Sequence, residues 1–302
     1  MTKKIAIKSF WADFNYEKNF IIDLFIEPNY IYTLDHLEAD LIIFGSFINT
    51  DDTENINQQQ KKILYITEPL EKHYPITWNL LQSNYFDGVI GCVKENSELN
   101  YVRWPFYCLI FYLSFNSEEI LNKTNKYVKN EDISQKKFCC LINSHDNGNT
   151  RVPIYKQLSK ISDIDCPGKL LNNCSNEELN SIGNFEFIKK YLFNICPENY
   201  KLQFEGYTTE KLFNSCLGGA IPIYQGYVDE VDKMIFNFKR IIVCNPNDDL
   251  SNTKTYNRVN RIFNNKEKLE KIYRKKVFKK NAYLIIKNLE NNVKKMINKI
   301  LL

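Results

Sequence analysis

The chain has 302 residues, 44% of them apolar, 14% aromatic and 25% charged, with Gly 10 and Pro 9; disorder, collagen and coiled coil are excluded as whole-chain answers. No apolar run approaches the roughly 18 to 20 residues that cross a bilayer, and the N-terminus reaches Trp11, Asp13 and Asn15 before a signal-peptide core could form, so a cytoplasmic protein is expected. The net charge of +4 is uneven, with 15 Lys and Arg against 3 Asp and Glu from Lys254 to Leu302, which makes the tail the basic part.

In chain order, Ile5 to Phe10, Asp40 to Phe47, Lys62 to Pro69 and Asp87 to Cys92 are short apolar runs rich in β-branched and aromatic residues. Polar stretches long enough for helices separate them, which predicts a parallel α/β sheet. Asn116 to Lys137 is polar and reads as a connection between domains. A second series follows, with strands expected at Lys137 to Ser144, Phe193 to Asn199, Gly219 to Gly226 and Arg240 to Asn245, and helices near Arg151 to Lys160 and Thr209 to Leu217. Two α/β domains of similar size are expected, with the chemistry beyond the carboxyl ends of their strands. From Lys266 to Leu302, Leu269, Ile272, Tyr273 and Val277, then Leu289, Val293, Met296, Ile297 and Ile300, recur at helical spacing among lysines. That basic amphipathic pattern predicts helices lying peripherally on an anionic membrane surface, with packing back onto the domains as the alternative.

Nine cysteines at irregular spacing, no C-x-x-C, and three dispersed histidines give no disulfide framework and no zinc pattern; most of the cysteines read as small buried hydrophobes. G-x-G-x-x-G and G-x-x-x-x-G-K-[ST] are both absent, which disfavours a dinucleotide dehydrogenase or P-loop enzyme. Asp163-Ile164-Asp165 matches the short D-x-D pattern of metal-dependent sugar transferases, a pattern that arises often by chance.

The stretch from Cys196 to Gly226 carries the chemistry. Thr208 or Thr209 is an N-cap and Gly218-Gly219 a C-cap, so a helix begins at Tyr207-Thr-Thr-Glu-Lys211. Its N-terminus together with Lys211 suits a diphosphate, and Glu210 suits a sugar that develops positive charge. A capped, solvated surface helix explains the same residues equally well.

Glu198-Asn199, Tyr207-Thr-Thr-Glu-Lys211, Gly219-Ala-Ile-Pro-Ile223 and Gly226 together resemble the signature of the α-1,3/4-fucosyltransferases, glycosyltransferase family 10, in its bacterial type without an N-terminal membrane anchor. Lys137 to Ser144 with Thr150-Arg151, the turn from Asp165 through Gly168 to Asn172-Asn173, and Tyr65-Ile-Thr67-Glu68-Pro69 extend the likeness. Pro197, Gly206 and a longer loop before Tyr207 depart from it, all beside the donor sugar. The resemblance implies two facing Rossmann-like domains of GT-B type, residues 1–125 binding the acceptor and 126–302 binding GDP-L-fucose. It implies inverting transfer of fucose to an oligosaccharide or glycoconjugate hydroxyl, typically the 3-OH of GlcNAc. Glu68 would be the base, Glu210 would face the fucose, Arg151 and Lys211 would clamp the diphosphate, and Asn199 and Tyr207 would position nucleotide or sugar. No metal cofactor is required by that charge set. His145 lies between the first strand and Arg151, where it reads as a solvated loop histidine more readily than as a nucleotide contact, and Trp11, Phe14 and Trp78 are candidates for stacking on acceptor sugars, although most aromatics will be core. Another GDP-sugar, or an inactive glycan- or nucleotide-binding homologue, would use the same residues; the intact charges weigh against loss of activity. A nucleic-acid partner, suggested only by the basic tail, finds no recognition module.

Overall fold

The computed structural model describes residues 2–71, 73–94, 100–114, 117–200, 204–244 and 251–302. They form two compact units, each built on a parallel sheet. The first comprises Met1–Leu113, Phe204–Tyr207 and Ile286–Leu302; the second comprises Ser114–Gln203 and Thr208–Ile285.

In the first unit the elements run β1 (Lys4–Lys8), α1 (Phe20–Phe25), β2 (Ile31–Tyr32), β3 (Leu41–Phe44), β4 (Lys61–Ile66), α2 (Pro75–Gln82), β5 (Gly88–Gly91) and β6 (Tyr101–Arg103), with α3 (Phe106–Ser114) at its end. The strands pair in parallel in the order β2-β1-β3-β4-β5-β6. Every residue of β3 is buried, as befits a central strand covered on both faces. Asn19 caps α1 by accepting from the backbone N–H groups of Ile21 and Ile22. Phe10, Trp11, Phe14, Phe20 and Tyr65 form an aromatic cluster beside β1 and β4.

The second unit continues with α4 (Glu118–Asn130), β7 (Lys137–Leu141), α5 (Arg151–Leu158), β8 (Ile164–Asp165), α6 (Glu177–Ile182), α7 (Asn184–Ile188), β9 (Tyr191–Ile195), α8 (Glu210–Leu217), β10 (Ile221–Tyr224), α9 (Glu230–Ile235), β11 (Ile242–Val243), α10 (Ser251–Phe263), α11 (Lys266–Tyr273) and the start of α12 (Ala282–Leu301), whose residues from Ile286 belong to the first unit. Its strands are parallel in the order β11-β10-β9-β7-β8. Phe213, Phe236 and Phe278 pack ring against ring beneath α8 and α9. Arg240 is fully buried, with its guanidinium stacked 4.7 Å from the Tyr273 ring and donating to the carbonyls of Gly219, Ile272 and Tyr273. A cation is favoured there because helix C-termini carry partial negative charge.

Three expectations change. The polar connection is α4, an amphipathic helix that buries Leu121, Thr124 and Val128; Asn116, where that expectation began, lies outside the described residues. Its Asn125 side chain accepts from the backbone N–H groups of Val277 and Phe278 and donates to the Phe278 carbonyl. The boundaries also differ from 1–125 and 126–302, because Ile286–Leu302 pack into the first unit. The helices predicted after Lys266 exist, but their apolar stripe is core and not a membrane face: Leu269, Tyr273, Ile286, Leu289, Val293, Met296 and Ile297 are all buried. Desolvating the stripe against protein removes the driving force for lipid. No helix among the described residues is long and apolar enough to cross a membrane.

Candidate functional site

The second unit gathers its polar residues at the carboxyl ends of β7, β8, β9 and β10, where the crevice of an open parallel sheet lies. Arg151, Asn199, Glu210 and Lys211 all line one cavity of about 500 Å³, together with Asn143, His145 and Lys169. Four of the six residues chosen from the sequence therefore meet.

Arg151 opens α5 and is only 1% exposed. Its guanidinium donates to Asn199 Oδ1 at 2.7 Å and to the His145 carbonyl, with His145 Nδ1 3.5 Å away. The α5 N-terminus already holds an anion, because the Asp146 carboxylate accepts from the N–H groups of Thr150, Arg151 and Val152 at 2.8 to 2.9 Å. Asp146 thus offsets the unfavourable placement of an arginine at a helix start. Sequence reading missed it, because Asp146 lies four residues before the N-cap Thr150 and reaches the helix start only when the loop closes. Gly148 lets this loop close, since a Cβ there would lie 2.2 Å from the Asn199 carbonyl oxygen.

The turn after β8 supplies the cavity's other wall. Asn173 accepts from the Cys166 N–H and donates to the Ile164 carbonyl, while Asn172 donates to the carbonyls of Pro167 and Gly168. The paired asparagines hold the turn, and Gly168 permits its approach, because a Cβ would meet the Asn143 carbonyl oxygen at 2.2 Å. Lys169, on this turn, adds a cation that sequence reading passed over.

At α8 the structure alters the expected cap. Thr209 is the N-cap residue but caps with no side-chain bond of its own; its N–H and hydroxyl both donate to Glu198, at 2.8 and 2.6 Å. Thr208 donates to Asp232 and the Tyr227 carbonyl. Part of the helix terminus expected to face a diphosphate is therefore taken up by Glu198. Lys211 Nζ lies 3.0 Å from Thr209 Oγ1, 3.1 Å from Glu210 Oε1 and 3.6 Å from Glu198 Oε2. Burial alone would lower the Lys211 pKa, but Glu198 and Glu210 outweigh it and hold it above the usual lysine value. The Glu198 pKa is raised as well, here by burial, which disfavours its charged form.

Glu68 and Tyr207 belong to the first unit. Glu68 follows β4, half-buried, and its Oε2 accepts from the Tyr207 hydroxyl at 2.7 Å. Tyr207 therefore orients a carboxylate there, a pairing that sequence reading did not foresee. Gly206, at φ +85°, lies where a Cβ would be 2.7 Å from the Cys92 carbonyl oxygen. Arg103 donates to its carbonyl and the Lys94 N–H donates to Glu205, which accounts for a glycine at that departure from the pattern.

Other candidates resolve differently. Phe14 is buried, stacked 4.4 Å from Phe10, so it is core and not a sugar platform; Trp11 and Trp78 are partly exposed. Asp165 of the D-x-D pattern is engaged by Lys137 and Tyr191, each at 2.7 Å. No group of three His, Cys, Asp or Glu able to hold a metal occurs among the described residues. The nine cysteines are thiols outside any disulfide, and eight are buried.

Comparison with known proteins places these features in one family. Residues 133–285, about half the chain, match the C-terminal model of glycosyltransferase family 10 (fucosyltransferase). The chain is 24% identical over 253 residues to an alpha-(1,3)-fucosyltransferase of Helicobacter pylori, covering 74% of this chain and 50% of that protein. It is 28% identical over 227 residues to a putative fucosyltransferase of Acanthamoeba polyphaga mimivirus, covering 70% and 35%. The chain thus spans half or less of the length of these curated relatives. Its fold is that of an alpha1,3-fucosyltransferase solved with GDP-fucose, at TM-score 0.68 and 19% identity over 99% of this chain and 90% of that one. A structure of an alpha1,3-fucosyltransferase with GDP superposes at TM-score 0.65, with 21% identity over 97% and 90%. By its motifs, its fold and the family match, the chain belongs to glycosyltransferase family 10, the fucosyltransferases.

Proposed function

We propose that the protein is an inverting glycosyltransferase that moves L-fucose from GDP-L-fucose to an acceptor glycan, at the 3-OH of GlcNAc. The observation that carries this reading is the convergence of Arg151, Asn199, Glu210 and Lys211 on one cavity. In the reaction an acceptor hydroxyl oxygen bonds to the fucose anomeric carbon as the bond from that carbon to the GDP oxygen breaks. Its proton passes to a base, and the bonding pair leaves with GDP. Glu68 is that base, oriented by the hydrogen bond it accepts from the Tyr207 hydroxyl. Arg151 and Lys211 offset the charge that grows on the leaving diphosphate, and Glu210 faces the oxocarbenium-like sugar. The first unit takes the acceptor and the second the donor. Two cations make GDP binding independent of a divalent metal, which at most stimulates turnover.

The test is GDP release from a panel of GDP-sugars offered with and without β-galactosyl-GlcNAc acceptors. Release with GDP-fucose that depends on acceptor is the expected result; release from another GDP-sugar alone would move the donor assignment while keeping the clamp. Binding of GDP with no release from any donor would favour a homologue that has lost catalysis.

A further inference from the structure

We propose that Glu198 is a positioning residue of the donor site, whose negative charge holds Lys211 in place and competes for it with the donor's diphosphate. The inference rests on reading the cavity as a nucleoside-diphosphate site. Glu198 does not line that cavity and is 1% exposed. A carboxylate so buried is costly unless it is paired and hydrogen-bonded. Here it accepts from the Thr209 N–H and hydroxyl and from the Tyr224 hydroxyl, at 2.8, 2.6 and 3.1 Å.

Its backbone is tied as firmly. The Glu198 N–H donates to the Gln225 carbonyl at 2.8 Å, and its own carbonyl accepts from the Thr150 hydroxyl at 3.3 Å. Thr150 precedes Arg151, Thr209 precedes Glu210 and Lys211, and Asn199 follows Glu198 and holds Arg151. One residue therefore joins the end of β9 to the starts of both helices that carry the cations. Gly226 keeps the space open, since a Cβ there would lie 2.3 Å from Tyr224 Oη and 2.7 Å from Glu198 Cγ.

Glutamine keeps an oxygen for the Thr209 N–H and the Tyr224 hydroxyl, which share Oε1, while the Thr209 hydroxyl, which donates to Oε2, must turn to accept from the new amide NH2. The charge has a separate effect: Glu198 and Glu210 balance Arg151 and Lys211, so a donor diphosphate must draw Lys211 away from carboxylates. Glu198→Gln therefore releases Lys211 from this carboxylate. GDP should then bind about three- to ten-fold more tightly, less than a full charged contact is worth because Glu210 still pairs with Lys211, while kcat falls at least ten-fold, because the ammonium is no longer aimed and GDP leaves more slowly.

Calorimetric GDP titration, kcat and KM for transfer, and the melting temperature are measured on the full chain. A purely structural cap predicts GDP binding that weakens in step with melting temperature, or no change in either GDP affinity or kcat; each outcome overturns the proposal. If Glu198→Gln does not fold, Glu198→Asp decides, since it keeps the charge but withdraws it by one methylene. Tighter GDP with lower kcat supports the proposal there, and weaker GDP overturns it. Wild-type protein that binds no GDP overturns the diphosphate reading, and this inference with it.

Discussion

At the scale of single residues, Glu68 and Lys211 should separate cleanly in their effects. Glu68→Ala should abolish transfer and leave GDP affinity within about two-fold, because a base on the acceptor hydroxyl does not touch the nucleotide. Lys211→Ala should weaken GDP by about 1.5 to 3 kcal/mol, or about one to two decades, the cost of losing a charge-assisted contact. Equal weakening of GDP in both variants, read by calorimetry, would make Glu68 structural. Tyr207→Phe removes one hydrogen bond to Glu68 and should slow transfer about ten-fold with GDP binding intact; an unchanged rate would show that the carboxylate orients itself. Arg151, Asn199, Glu210 and Lys211 were legible because they sit in contiguous motifs at strand ends and helix starts. Asp146 and Glu198 were not legible as working residues, because their value lies in which backbone N–H groups they accept from, and that depends on how the loops close.

At the scale of elements, the strands expected from apolar runs all appear, since a buried parallel strand is a local pattern. β2, β6 and β8 went unseen because two or three residues carry no period of their own and gain their conformation from a neighbouring strand. α4 was read as a connection because only Leu121, Thr124 and Val128 of its thirteen residues are buried. The last helix was read correctly as amphipathic and wrongly as a lipid face, because an apolar stripe looks the same to a bilayer and to a protein core. Ile297→Ala should therefore cost about 2 to 5 kcal/mol of stability, and deleting residues 288–302 should unfold the first unit, as seen by a lost thermal transition. Glu290, a buried carboxylate on α12, gives a pH test. Burial opposes its charge, but hydrogen bonds from Lys287, Lys294 and Tyr112 prevail and hold its pKa below the ordinary carboxylate value. A depressed pKa stabilises the fold above the unfolded value and loses that contribution as pH falls through the folded one. The stability gap between wild type and Glu290→Gln, from urea unfolding, should accordingly narrow as pH falls below the ordinary carboxylate range; a gap that stays constant on acidification would remove Glu290 from the acid response.

At the scale of the whole molecule, the division into two parallel α/β halves was readable from the two series of apolar runs, and the family from the motifs in the second. GDP binding should survive a chelator, because Arg151 and Lys211 supply compensating charge; binding lost to EDTA and restored by Mn²⁺ would return attention to Asp163 and Asp165. What no local pattern could show is that the first unit is assembled from three separated stretches. Gly88 in β5 has Met296 and Ile300 at the place a Cβ would occupy, and Tyr30 and Glu27 bond Asn298. During synthesis the ribosome makes β1 to β6 first, yet the helix that covers β5 emerges only after the entire second unit. Nascent first-unit sheet must therefore wait with an uncovered apolar face, a state open to aggregation and to chaperones, while the second unit can fold earlier as a nearly contiguous block. Expression yield should consequently depend more on chaperone supply for substitutions in β5 and α12 than for equally destabilising ones in β9 and α8.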